Sequence, residues 1–444
     1  MMEPMPSEET RTTTPTAGRA QVATTAPREV RGTSTRAWTV RLVVAGIVLS
    51  ALNLRPAITS LGALLEEVRT ALGMSGGVAG LLTSVPPLCF AVFGVMAPRL
   101  ARRFGPAAVV CAGMVAIAAG LAVRPYVGGT PAFLAASALA LAGIAVSNVL
   151  MPVIVKRWFP DRIGSMTGLY SMALALGTSS AAAVTVPLTG ALGHNWRSGL
   201  SVWALLAAVA VLPWLPLLRE RGAEPAAQPP ARTGSVRGET APAREARAPA
   251  LRITRSRTAW ALAVFFGLQA TLAYITMGWM AQIFRDAGVS AGTAGLLLAF
   301  TMVLGVPLAF VIPRLAARLP HQGPIVLVLG VCGLVGYAGL YLAPAAGAWA
   351  WALLLGVANC AFPLALTMVG MRARTGPGVA QLSAFAQSTG YLISIPGPLL
   401  VGVLYQNSGG WGMPLTLMAG LLVPQTVVGY LAGRDRTVED EAAR

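Results

Sequence analysis

Residues 79–82 read AGLL and 98–103 read PRLARR; 215 positions further on, residues 294–297 read AGLL again and 313–318 read PRLAAR. Asn148 with Pro152 and Asn359 with Pro363 form a second matched pair at equal internal spacing. A duplicated landscape of this kind makes the chain two related halves. Working outward from it, twelve stretches of about 20 apolar residues, the length that spans hydrocarbon as a helix, lie at 38–61, 77–98, 106–124, 132–155, 163–188, 198–218, 258–280, 292–313, 323–343, 348–371, 380–404 and 411–432. With 55% hydrophobic and 11% charged residues and a mean hydropathy of +0.67, the 444 residues are too apolar for soluble domains. The expected fold class is an all-α polytopic membrane protein, with twelve transmembrane helices in two pseudo-symmetric six-helix bundles.

The formal charge of +17 would suggest nucleic acid in a soluble protein, so its distribution matters. With both termini inside, 28 of the 33 Lys and Arg fall in cytoplasmic segments, while Arg69, Arg124, Arg197 and Arg285 fall in outer loops and Arg55 falls inside a helix. That asymmetry is the positive-inside rule. It predicts a multi-pass protein of a bacterial cytoplasmic membrane with both termini cytoplasmic and membrane lipids as neighbours, and no basic face interleaved with aromatics to bind nucleic acid. The division expected is a disordered tail at 1–37 without signal-peptide features, a bundle at 38–218, an Ala-, Pro- and Arg-rich flexible linker at 219–257, a second bundle at 258–432 and a C-terminal tail at 433–444.

Enzymatic chemistry finds no support. Cys89, Cys111, Cys332 and Cys360 all fall within apolar spans and read as packing residues, and His194 and His321 lie in loops on opposite sides, so neither a metal site nor a cofactor is expected. Residues 73–77 (GMSGG) match the hydrolase elbow G-x-S-x-G, but 288–292 (GVSAG) repeat it at the same place in the other half. Ser75 and Ser290 therefore read as helix N-caps. The lone lysine, Lys156, follows Val155 and not glycine, so there is no phosphate loop and gradients must supply the energy.

Arg55 is the principal candidate for function. A charge within a spanning helix costs about 2.5 to 3.5 kcal/mol on insertion scales and is normally functional or paired, yet all sixteen Asp and Glu fall in tails, loops or the linker. A guanidinium facing water could hold a planar anion by two hydrogen bonds. The competing reading is that Arg55, about two turns from the helix end, reaches the headgroups. Pro56 loosens the helix beside it. Other polar residues at helix depth are Asn53, Asn148, Tyr170, Gln269, Tyr274, Asn359, Gln387 and Tyr391; Asn148 and Asn359 read equally well as helix-to-helix hydrogen bonds.

The segments NLRPAITSLG (53–62), NVLMPVIVKRWFPDRIGSMTGLY (148–170), NWRSGLSVWA (195–204) and GLQATLAYITMGWM (267–280) resemble the major facilitator superfamily and, within it, the cyanate and nitroimidazole transporter family. The resemblance reaches every predicted helix. It implies a secondary carrier in which helices one, four, seven and ten line the cavity, and the candidate solute contacts are Arg55, Asn53, Asn148, Gln269, Tyr274, Trp279 and Asn359, with Tyr170 and Gln387 on helices five and eleven. Pro98 and Ala101 stand where the superfamily has an acidic residue and a glycine, and Met280 and Ala281 where the family continues Leu-Pro. The implied partner is a small anionic or polar solute, cyanate-like or nitroimidazole-like, carried by a monomer through alternating access. Broad efflux of neutral or apolar drugs is the alternative; a solute sensor would need a folded output domain. No titratable residue within the spans identifies a coupling ion.

Overall fold

The computed structural model describes residues 30–219 and 253–442. The tail up to residue 29 and most of the expected linker lie outside the described residues. Twelve helical passages follow one another: α1 (Trp38–Ala63), α2 (Gly76–Phe104), α3 (Pro106–Tyr126), α4 (Thr130–Trp158), α5 (Ser165–Ala191), α6 (Trp196–Val211), α7 (Arg257–Asp286), α8 (Ala291–Arg318), α9 (Gly323–Leu342), α10 (Ala348–Met371), α11 (Gln381–Ser408) and α12 (Gly412–Ala432). Eleven are long and apolar enough to cross a membrane; α6 is shorter, and the chain resumes as a helix at Trp214–Arg219. The start of α1 and the end of α12 define the terminal end of the molecule, and the opposite side is called the far end.

Local chemistry sets the helix limits. In each half the G-x-S-x-G segment builds the same corner at the far end. Gly73 (φ 61°) and Gly288 (φ 88°) take the left-handed conformation that ends the preceding helix. Ser75 and Ser290 then accept hydrogen bonds from Val78 N and Thr293 N, capping α2 and α8 as the sequence predicts. At the terminal end α2 continues to Phe104, six residues past the apolar stretch. Arg102 and Arg103 stand in its last turn, where cations complement the helix dipole and reach beyond hydrocarbon.

The repeated AGLL acquires a meaning in the packing. A Cβ on Gly80 would lie 2.8 Å from the Leu399 carbonyl oxygen of α11, and one on Gly295 would lie 2.6 Å from the Ala182 carbonyl oxygen of α5. Each half thus uses the glycine of its AGLL to bring α2 or α8 onto a helix of the other half, the small-residue packing that membrane helices require. Gly402 continues the first seam against Gly76. The halves meet along these far-end contacts and α1 against α7, whereas toward the terminal end α4 and α10 make no more than marginal contact across them among the described residues. α7 is the central helix, with 83% of its most apolar window buried, against 33% for α12.

The C-terminal segment docks. After α12 the chain folds back into a short helix, Val438–Ala442, with Val438 buried and its N–H donating to Arg372 O at 2.9 Å. Glu441 accepts from Ser256 Oγ (2.6 Å), Thr258 N (3.1 Å) and Thr258 Oγ1 (2.8 Å) at the start of α7. Burial raises this carboxyl, but those hydrogen bonds outweigh it and hold Glu441 below the ordinary glutamate range. The C-terminal tail is therefore ordered over 433–442, because its acids satisfy a helix N-terminus.

Candidate functional site

α1 is discontinuous at the residue singled out in the sequence. The helix stops at Asn53 and restarts at Pro56, with Arg55 between at φ −127° and ψ −26°. Proline has no N–H to return to the Leu52 carbonyl. Gly177 of α5 lies against that carbonyl so closely that a side chain there would collide with it. The break turns Arg55 into the body of the molecule, 9% exposed, and not toward the far-end surface.

Around the guanidinium the structure gathers aromatic side chains from both halves. Arg55 Cζ lies 5.9 Å from the centroid of Phe90 on α2, and Phe90 stacks on Tyr391 of α11 at 5.0 Å. Tyr391 in turn meets Phe266 of α7 edge-on at 5.3 Å, and Phe266 packs on Phe362 of α10 at 5.5 Å. Tyr274 of α7, Tyr391 and Tyr170 are the polar neighbours of Arg55. Tyr170 donates to Asn148 Oδ1 on α4, and both residues are half-buried on the side that opens toward the terminal end. No carboxylate pairs with Arg55 among the described residues. A positive charge held in low-dielectric surroundings among ring faces can bind an anion by a two-point hydrogen bond and flank a planar solute by stacking.

The remaining sequence candidates are engaged elsewhere. Asn53 is buried and donates to Leu49 O (2.8 Å) and Leu206 O (3.2 Å), tying α1 to α6 away from the cluster. Gln269 donates to Asn359 Oδ1 (2.9 Å) and accepts from Gln425 Nε2 (2.8 Å), a network wholly inside the second half that lines a small cavity with Thr276 and Tyr337. Trp279, 1% exposed, donates to Thr83 Oγ1 at 3.2 Å across the halves and packs on Tyr405 and Trp411 at the far end. Gln387 donates to Ser383 Oγ at 2.8 Å, one turn of α11 from Tyr391. Each of these four meets a protein partner: Asn53 and Trp279 donate, Gln269 both donates and accepts, and Asn359 accepts.

Sequence reasoning passed over Phe90, which looks like any apolar packing residue, and named Tyr391 only as a polar residue at helix depth, not as a solute contact. It also placed Arg124 in an outer loop. Arg124, the last residue of the 106–124 stretch, instead stands near the end of α3 at 1% exposure.

Beyond the cluster the far end is sealed by polar contacts between halves. Arg285 Nη1 meets Glu67 Oε2 at 2.8 Å, and Gly77 N donates to Gln406 Oε1 at 3.0 Å. Tyr405 Oη and Trp411 Nε1 both donate to Asp286 Oδ2 at 2.8 Å, while Arg69 lies 5.7 Å over the Tyr405 ring. The acid missing from the loop after α2 thus has no bearing on this closure, which rests on other residues.

The chain matches the Major Facilitator Superfamily over residues 43–376. It is 34% identical to the uncharacterized transporter YycB of Bacillus subtilis, covering 89% of this chain and 94% of that protein. It is 32% identical to the 2-nitroimidazole transporter of Escherichia coli (89% and 96% covered) and 30% identical to the cyanate transport protein CynX of the same organism (85% and 94%). Among solved structures, a bacterial homolog of the human lysosomal transporter Spinster, inward-facing and unoccupied, superposes with a TM-score of 0.67 at 16% identity, covering 90% of this chain and 97% of that one. Two halves of six helices, joined through glycine seams around a central cleft and matched along this length, make the chain a multi-pass membrane transporter of the Major Facilitator Superfamily.

Proposed function

We propose that the protein is a secondary carrier of a small anionic or strongly dipolar planar solute in a bacterial plasma membrane, with both termini in the cytoplasm. The observation that carries the reading is Arg55: a buried guanidinium at a helix break, surrounded by Phe90, Tyr274, Tyr391 and Tyr170, with no carboxylate to neutralise it among the described residues. A cation left without a counter-charge in low dielectric is costly, and an anionic or dipolar solute lowers that cost on binding. The aromatic neighbours favour a flat solute. Likeness to a cyanate transport protein and a 2-nitroimidazole transporter supports small solutes of these two chemistries.

The charge asymmetry of the loops supports a cytoplasmic terminal end. On that orientation the structure is the inward-facing state, and transport requires the far-end seams and the Glu67–Arg285 pair to part while the terminal halves of α4, α5, α10 and α11 close. Counterflow of labelled cyanate and a labelled nitroimidazole into proteoliposomes tests the site, comparing the intact protein with Arg55→Gln at matched reconstitution. Exchange of either solute that the variant loses is the expected result. Exchange of neutral compounds alone, unchanged in the variant, would make Arg55 structural and favour the efflux of neutral drugs.

A further inference from the structure

A second buried cation lies beyond the Arg55 cluster, toward the far end. The Arg124 side chain is 1% exposed; Nη1 donates to Ala57 O at 3.1 Å and Cζ lies 5.7 Å over the Phe133 ring. Nε and Nη2, both buried, have no partner among the described residues, and neither has the hydroxyl of Ser137, itself 1% exposed. Arg124 and Ser137 open on one small cavity enclosed by α1, α2, α3, α4 and α7, its wall completed by Ala57, Thr83, Gly278 and Tyr274. No acidic residue pairs with Arg124 among the described residues. Unpaired N–H groups on a buried cation are among the rarest features of folded proteins.

We propose that this cavity binds a small inorganic monoanion of halide size, held by Arg124 Nε, Arg124 Nη2 and the Ser137 hydroxyl. Three donors converging on one volume are a recognition element for a single compact acceptor, since the guanidinium fork supplies two hydrogen bonds and the serine a third. The space holds about one water-sized particle, which excludes a ring; a halide, a few tenths of an ångström larger in radius, enters with a small shift of the walls. Tyr274 separates the two sites: it lines the cavity and is also a neighbour of Arg55. The anion neutralises a charge that the far-closed packing has sealed from water, and it stabilises that state.

The test is halide binding to the purified full chain in nanodiscs. Bromide and chloride, exchanged against gluconate at constant ionic strength, are expected to raise the unfolding temperature and to displace bound radiolabelled chloride. Arg124→Gln is expected to weaken halide binding by about tenfold or more, the loss of charge-assisted hydrogen bonds, and Ser137→Ala by a few-fold. Arg55→Gln is expected to leave it in place, which separates this site from the proposed solute site. Anomalous scattering from bromide beside Arg124 would place the ion directly and serves if Arg124→Gln does not fold. The proposal is overturned if the intact protein binds no halide, if Ser137→Ala and Arg124→Gln both bind it as well as the intact protein, or if Arg55→Gln abolishes it.

Discussion

The two ends of this molecule are held together in opposite ways. At the far end cohesion runs across the halves: glycines lie on carbonyls at Gly80 and Leu399, Gly295 and Ala182, and Glu67 pairs with Arg285. At the terminal end it runs within one half. Buried Arg372 donates to Ala432 O (3.0 Å), Gly433 O (2.7 Å) and the Gln322 side chain, binding together the loops that join α8 to α9 and α10 to α11 and the end of α12. Glu439 accepts from Arg374 N at 3.0 Å and Glu441 caps α7, so the C-terminal segment joins the same staple. The difference separates two tasks. Contacts between halves must break in every cycle and are built from close packing and a half-exposed ion pair, whereas contacts within the second half must survive it and are built from a buried, multiply bonded guanidinium.

The strongest way to break this comparison is Gly80→Leu. Overpacking a close helix seam costs about 1 to 3 kcal/mol, and here the cost falls only on the far-closed state. Solute counterflow should drop by about tenfold or more, and spin labels on the far ends of α2 and α11 should move apart. Unchanged distances would mean that the seam carries no conformational preference. Arg372→Ala should act on the terminal end alone. It leaves Gln322 and two carbonyls without their charged donor, for a loss of about 2 to 3 kcal/mol, read as a lower unfolding temperature with the far-end distances unaltered.

Glu67→Gln should have a smaller effect, because both partners of the pair are partly exposed and such pairs are worth at most about 1 kcal/mol. A few-fold shift toward far-end opening is expected, matched by raising salt, and reversed when Glu67→Arg is combined with Arg285→Glu. A double swap that transports no better than either single change would show that the pair does not bridge the halves in the membrane.

The smallest effect is expected at Glu441. Its carboxyl is held below the usual value, so docking of the C-terminal segment is fully stabilised above the unfolded-state value of about 4.5 and lost as the pH falls through the lower folded value. Protease resistance of the C-terminus should persist at neutral pH and fade only in acid. Glu441→Gln should weaken it at neutral pH by a few tenths of a kcal/mol, the scale of a solvent-screened charge at a helix N-terminus.

How much of this could be read beforehand differs from residue to residue. Ser75 and Ser290 were legible as caps because capping is local and the repeat displayed it twice. Arg55 was legible because a charge without an acid stands out in any apolar span. Its aromatic surroundings were not, since Phe90, Tyr274 and Tyr391 come from three helices and converge only after α2, α7 and α11 pack. The two repeat asparagines part company for the same reason: their equivalence is a fact of sequence, but Asn148 meets Tyr170 at the cleft while Asn359 meets Gln269 inside the second half. Arg124 stands at the last position of its apolar stretch, where the local sequence does not decide whether a cation ends in water or beside a small cavity.

From the sequence by itself came the membrane class, the duplication, the order of the spans and the one charge that needed explaining, because hydrocarbon thickness and the cost of a buried charge act on each segment separately. Only the tertiary structure decided which polar groups face the cleft and which face a neighbouring helix, which end is sealed, and that Arg124 and Arg372 are buried as well as Arg55. Those outcomes depend on helix rotation and on contacts between segments hundreds of residues apart, and no local pattern encodes either.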